Sequence, residues 1–134
     1  MKTRLFDASA ILLLIKRHPD TASTTLEGEY ILNLTPYEVG NALWRINKLI
    51  DKTGETASLD AIEMAHSLLS LMEVLELEGV EDLRQTMAIA YEKNLSFHDS
   101  AYIQVAKRMG LILVTEDKSL LHVAEEAGLK CGKI

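Results

Sequence analysis

Asp7, Glu38, Asp99 and Asp117 are spread over most of a 134-residue chain, yet each stands where an apolar run ends or a helical pattern opens. In an open parallel α/β sheet such junctions meet beyond the carboxyl ends of the strands, so acids placed on them converge in space. Four converging carboxylates repel one another and raise each other's pKa unless cations neutralise them. Oxygen ligands at that charge density suit Mg²⁺ or Mn²⁺, one or two ions per site. The chemistry they would support is metal-dependent hydrolysis of a phosphoester.

Taken singly, each acid also has a structural explanation. Glu38 and Asp99 fit the reciprocal position of capping boxes, Asp117 lies in the first turn of its helix, and Asp7 can cap the helix that follows it. Capping explains an acid at a helix start, but not why all four junctions should fall at one end of a sheet. Glycine-rich phosphate loops, metal-binding His pairs and a plausible Ser-His-Asp arrangement are absent.

The elements that must position these acids alternate between short apolar runs and helical patterns. Lys2 to Phe6 reads as a strand, and Ala8 to Ile15 as a buried helix stopping before Lys16 to Asp20, where Pro19 disfavours helix at His18. Tyr30 to Leu34 is a second apolar run. Thr35-Pro36-Tyr37-Glu38 then supplies an N-cap, a proline at the first helical position and a reciprocal acid for a helix from Pro36 to about Asp51. Its apolar face is Val39, Leu43, Ile46 and Ile50, with Trp44 on its shoulder. Lys52 to Ser58 reads as an exposed loop, Leu59 to Met72 as a helix, and Glu73 to Leu77 as a strand or a helix end. After Gly79, Asp82 to Lys93 returns to helical spacing. Ser96-Phe97-His98-Asp99 opens a helix through Met109, which Gly110 ends. Leu111 to Val114 has the form of a buried parallel strand, a helix runs from Asp117 through Ala127, and Leu129 to Ile134 can add a last strand. The predicted architecture is a three-layer α/β/α sandwich with a central, mainly parallel sheet, in one domain spanning residues 1–134.

Composition narrows the classes further. Fourteen Lys and Arg against twenty Asp and Glu give a formal net charge of −6, which disfavours nucleic acid as a partner on net charge alone. Two divalent ions at an acidic cage would cancel about four negative charges where a phosphate approaches. The lone Cys131 leaves neither a disulfide framework nor a zinc cluster and fits a reducing cytoplasm. The apolar run from Ala8 to Ile15 falls far short of the roughly 20 residues a membrane span needs.

Four segments carry a resemblance: Phe6-Asp7-Ala8-Ser9, Tyr37-Glu38-Val39-Gly40-Asn41-Ala42-Leu43, Ser96-Phe97-His98-Asp99-Ser100-Ala101-Tyr102 and Val114-Thr115-Glu116-Asp117-Lys118-Ser119-Leu120. In order and spacing the chain resembles the PIN-domain family, above all the small prokaryotic VapC-type toxins of toxin–antitoxin pairs. The resemblance implies a Mg²⁺- or Mn²⁺-dependent ribonuclease with Asp7, Glu38, Asp99 and Asp117 as its catalytic, metal-binding acids. It also implies a homodimer, and a small antitoxin that blocks the site. Ser9 and Thr115 match positions that commonly carry a hydroxyl near the metal. Asn41, one turn beyond Glu38, is a further candidate for orienting a carboxylate or a phosphate.

His98 is adjacent to Asp99, but neighbours on a helix point in different directions, so a solvent-facing role is the expectation. Arg45, Lys48, Lys107, Arg108 and Lys118 are candidate phosphate contacts, set against the commoner solvated face. Two rivals remain at this level. One is a non-catalytic dimeric module of the same fold that docks a partner through Trp44, Leu49, Leu68, Leu69 and Met72. The other is a phospho-acceptor domain using Asp7, disfavoured because the usual paired acids near the first strand are missing.

Overall fold

The computed structural model describes residues 2–50 and 54–134. Its strands are β1 (Arg4–Phe6), β2 (Tyr30–Leu32), β3 (Glu73–Leu75), β4 (Ile112–Val114) and β5 (Cys131–Gly132). All neighbours pair in parallel, in the order β3-β2-β1-β4-β5. Successive side chains of a strand face opposite ways. Phe6, Ile31 and Val114 accordingly enter one core, and Leu5, Leu32 and Leu113 the other. Cover on both faces is what makes these short runs continuously apolar.

The first core lies under α1 (Ala8–Arg17), α2 (Ala22–Leu26), α3 (Thr35–Ile50) and α4 (Gly54–Leu69), through Ile11, Leu14, Leu26, Val39 and Leu69. The second lies under α6 (Phe97–Met109) and α7 (Lys118–Glu126), with α5 (Gly79–Lys93) packed along α6. The result is an α/β/α sandwich. From central β1 the chain builds β2 and β3 on one side, then returns to place β4 and β5 on the other. That reversal puts the switch point of the sheet, the usual ligand position in open α/β folds, at the ends of β1 and β4. Among the described residues no helix is long and apolar enough to cross a membrane.

Several boundaries differ from the sequence-based expectation. Helix α2 has no counterpart in it; its five residues hold one buried i, i+4 pair, Ala22 and Leu26, too little for a readable period. The expected loop from Lys52 to Ser58 is helical from Gly54 onward, because α4 packs along α3 and tertiary contact overrides the poor helix propensity of Gly and Thr. Lys52 and Thr53, the expected helix end at Asp51, and the side chains of Leu49 and Ile50 lie outside the described residues. Helix α4 stops at Leu69 rather than Met72, and α5 opens at Gly79. There φ is +70°, a backbone turn that favours glycine. Leu69 and Met72, considered as docking residues, are buried in the core, and Leu68 packs against it. Ile46 and Trp44 are half exposed, so α3 outruns the core that Val39 anchors.

Candidate active site

Asp7 follows β1 and caps α1, its carboxylate accepting from the Ala10 N–H. It is buried, and three donors converge on it. Oδ1 takes the Ala10 N–H at 2.9 Å and the Ser9 hydroxyl at 2.6 Å, while Oδ2 takes the Thr115 hydroxyl. The directions follow from the backbone of the β4–α7 junction. Ser9 Oγ accepts from Glu116 N–H at 3.0 Å, and Thr115 Oγ1 from Asp117 N–H at 3.0 Å, leaving each hydroxyl proton for Asp7. Burial pushes the Asp7 carboxyl pKa up, opposed by these hydrogen bonds, with Asp117 adding a further upward push.

Glu38 lies in the first turn of α3, but the anticipated capping box with Thr35 does not form. Helix α3 already starts at Thr35, and the Glu38 N–H goes to the Leu34 carbonyl. The Thr35 hydroxyl is used elsewhere: it accepts from Leu32 N–H at 3.1 Å and lies 2.6 Å from the Tyr102 hydroxyl. Tyr102 donates to Glu38 Oε1 at 2.6 Å. A hydroxyl has one proton, so Thr35 must donate to Tyr102, and the relay runs from the β2 backbone through two buried side chains to Glu38. Burial and the neighbouring Glu38 charge push the Tyr102 pKa up, so the phenol keeps the proton it donates. Burial raises the Glu38 pKa as well, against the Tyr102 hydrogen bond; Asp7 and Asp99 add to the rise and His98 opposes it.

Asp99 stands three residues into the α6 start capped by Ser96, whose hydroxyl accepts the Asp99 N–H at 3.1 Å. Its pKa is raised by burial, then by Asp117 and Asp7, with Ser96 and His98 pulling the other way. Asp117 is exposed and caps α7 by accepting from Leu120 N–H at 3.1 Å. All four acids therefore cap or open helices and also act on one another electrically from one edge of the sheet. None of the ion pairs among the described residues involves any of the four.

Tyr102 has no role that sequence reasoning assigns, although it lies one turn beyond Asp99 on the same helix face and interrupts an otherwise apolar stretch. Tyr102→Phe would strand both the Thr35 hydroxyl and Glu38 Oε1. We expect about 1–3 kcal/mol of lost stability, read as a denaturation midpoint.

The basic candidates separate. Arg108 ties α6 to the start of α5, pairing with buried Asp82 at 2.9 Å and donating to the Glu76 carbonyl at 2.8 Å, so it is occupied structurally rather than held for phosphate. Lys48 lies over the Trp44 ring, 4.9 Å from its centroid. Lys107 and Lys118 are exposed, and Arg45 lines a cleft beside Glu38. Asn41 and His98 line the same cleft.

The donor set fits a hard divalent cation in kind: carboxylates only, mutually repelling and, among the described residues, without basic partners. Among the described residues no three His, Cys, Asp or Glu side chains stand close enough to hold an ion directly.

In sequence and in fold the chain is similar to known proteins. The family profile described as "PIN domain" matches residues 4–126. Exonuclease VapC9 of Pyrobaculum aerophilum is 38% identical over 117 residues, covering 87% of this chain and 82% of that protein. Ribonuclease VapC3 of the same organism is 28% identical over 120 residues, covering 85% and 88%. A crystal structure of a Pyrobaculum aerophilum protein superposes with a TM-score of 0.78 at 35% identity, over 97% of this chain and 83% of that one. A toxin–antitoxin complex from Klebsiella pneumoniae shares the fold at a TM-score of 0.56 and 20% identity, over 86% and 87%.

Proposed function

Because the chain belongs to the PIN-domain family, we propose that it is a metal-dependent ribonuclease whose acidic site is Asp7, Glu38, Asp99 and Asp117. The observation that carries this reading is that acids from the end of β1, from α3, from α6 and from the β4–α7 junction raise one another's pKa, while among the described residues no basic side chain pairs with them. PIN nucleases generally use divalent metals. A bound Mg²⁺ or Mn²⁺, as one or two ions, supplies Lewis acidity at the phosphate and neutralises the carboxylates.

The chain's own residues do the rest. Ser9, Thr115 and the Ala10 N–H hold Asp7 as an acceptor on both oxygens, which fixes its plane and favours its ionised form. Tyr102 fixes one oxygen of Glu38 by donating its hydroxyl proton to Oε1. Asp99 and Asp117 add charge at the more open rim. Water attacks phosphorus and the P–O3′ bond breaks, leaving 5′-phosphate and 3′-hydroxyl ends. The 2′-hydroxyl takes no part, so RNA as substrate rests on relatives such as Ribonuclease VapC3.

We place the protein as the toxin of a toxin–antitoxin pair, a cytoplasmic homodimer held inactive by a small antitoxin. Support comes from the VapC relatives and from the free Cys131, which suits a reducing compartment. A second reading, a non-catalytic dimeric docking module, is favoured by a cleft of about 490 Å³ between α3 and α4, lined by Leu43, Trp44, Leu59 and Ile62. Cleavage separates the two. With Mg²⁺ or Mn²⁺ the purified protein should cut single-stranded RNA to 5′-phosphate products, and EDTA should stop it. Intact RNA with both metals would reject the ribonuclease reading.

A further inference from the structure

We infer that the cleft beside Glu38 is a nucleotide subsite that holds single-stranded RNA by stacking a base on Tyr37 and binding the adjoining phosphate at Arg45. This rests on the ribonuclease reading and extends it to how the strand is held. The cleft, about 440 Å³, is lined by Tyr37, Glu38, Asn41, Ala42, Arg45 and His98. Glu38 belongs to both cleft and acidic site, so a strand in the cleft runs on to the acids.

Tyr37, Asn41 and Arg45 are four residues apart and form one row along α3. From Tyr37 to Arg45 the helix rises ~12 Å, enough to separate a base contact from a phosphate contact. Tyr37 is 82% exposed although its neighbour Glu38 is tied into the buried Tyr102–Thr35 network. An open ring there offers a face to an unpaired base, whereas bases inside a duplex are already stacked. Arg45 is exposed and enters no ion pair among the described residues. His98, exposed on α6, forms the opposite wall.

The arrangement also resolves the tension with a net charge of −6. With Arg108 tied to Asp82 and Lys48 over Trp44, Arg45 is, among the described residues, the one Lys or Arg side chain that lines the cleft, so counterion release there is limited to about one phosphate contact. Stacking is independent of net charge. Binding should therefore depend only weakly on salt.

The test is a binding cycle in the Asp99→Asn background, where turnover is slowed by more than about a hundredfold, with Mg²⁺ and a fluorescein-labelled single-stranded oligoribonucleotide. Adding Tyr37→Ala should weaken affinity about 5- to 150-fold, the loss of one base–aromatic stack, and leave the salt slope unchanged. Tyr37→Trp should restore affinity. Removing the base at one nucleotide position should cost a similar factor with Tyr37 present and almost nothing further after Tyr37→Ala. Arg45→Ala should flatten the slope of log affinity against log salt by about 0.7, one phosphate contact on a single strand. Equal affinity with and without Tyr37→Ala, the parent binding well, overturns this inference alone and returns the cleft to a protein partner. A parent that binds no RNA while the wild type cuts none overturns both this inference and the ribonuclease reading.

Discussion

Asp99→Asn is expected to reduce metal-dependent cleavage by more than about a hundredfold, beyond the loss that outer partners of a metal site cause. In metal-free buffer the same change should raise the melting temperature. The sign follows from the direction of the shift. Asp99 has a folded pKa raised above its unfolded value, by burial first and then by Asp117 and Asp7. Such a carboxyl favours the folded state while protonated, and that contribution is lost as pH rises through the folded pKa. At neutral pH the ionised Asp99 therefore opposes folding, as do Asp7 and Glu38, whose pKa values are raised as well. Asparagine removes the charge and leaves the backbone cap, Asp99 N–H to the Ser96 hydroxyl, in place. Metal should invert the ranking. Binding to the native protein alone stabilises it by about 2.7 kcal/mol at a hundred times Kd, and the variant should lose most of that gain. Melting curves in EDTA and in Mg²⁺, beside rates, would show both effects. A variant that melts below wild type in EDTA, or that cleaves normally, would reject Asp99 as a member of a repelling, metal-dependent cluster.

The coarse layout was readable in the residues because both strand runs and acid positions obey short-range rules. Leu111 to Val114 has the form of a covered strand and Ser96 with Asp99 that of a helix start, and β4 and α6 stand where these signals put them. Gly110 ends α6 with φ of +66°, as its place after the last helical turn indicates. Tertiary competition was not readable. Thr35 had every local reason to cap α3, yet its hydroxyl is committed to a β2 amide and to Tyr102, 67 positions away. The same holds for Arg108: nothing near it in sequence shows that Asp82 and the Glu76 carbonyl will claim its guanidinium. Hydrogen bonds between distant elements decide which polar groups remain available, and no periodicity encodes them.

Asp7→Asn, in contrast to the change at Asp99, should damage fold and activity together. Three donors address the Asp7 carboxylate, and an amide offers only one acceptor atom in place of two oxygens. With the amide oxygen kept toward Ser9 and Ala10, the new NH₂ meets the Thr115 hydroxyl proton. Thr115 can turn only by giving that proton to Ser9 Oγ, 3.3 Å away and already an acceptor for Glu116 N–H. A long, poorly placed bond replaces a short one in a buried setting, at about 1–3 kcal/mol. Relief from burying a negative charge acts in the opposite direction, so we expect a net loss of about 1–2 kcal/mol. Urea unfolding should show a lower midpoint with an unchanged slope, the mark of altered stability without altered compactness. Cleavage should fall by more than about a hundredfold, as for Asp99→Asn. Thr115→Val added to Asp7→Asn removes the conflicting proton and should recover part of the midpoint, whereas Thr115→Val alone should lower it by stranding Asp7 Oδ2. An Asp7→Asn midpoint equal to wild type, with no recovery on adding Thr115→Val, would mean that Ser9 and Thr115 are not both donors to Asp7. The backbone amides of Glu116 and Asp117 would then not set the hydroxyl directions, and the carboxylate would not be held in one plane for its task.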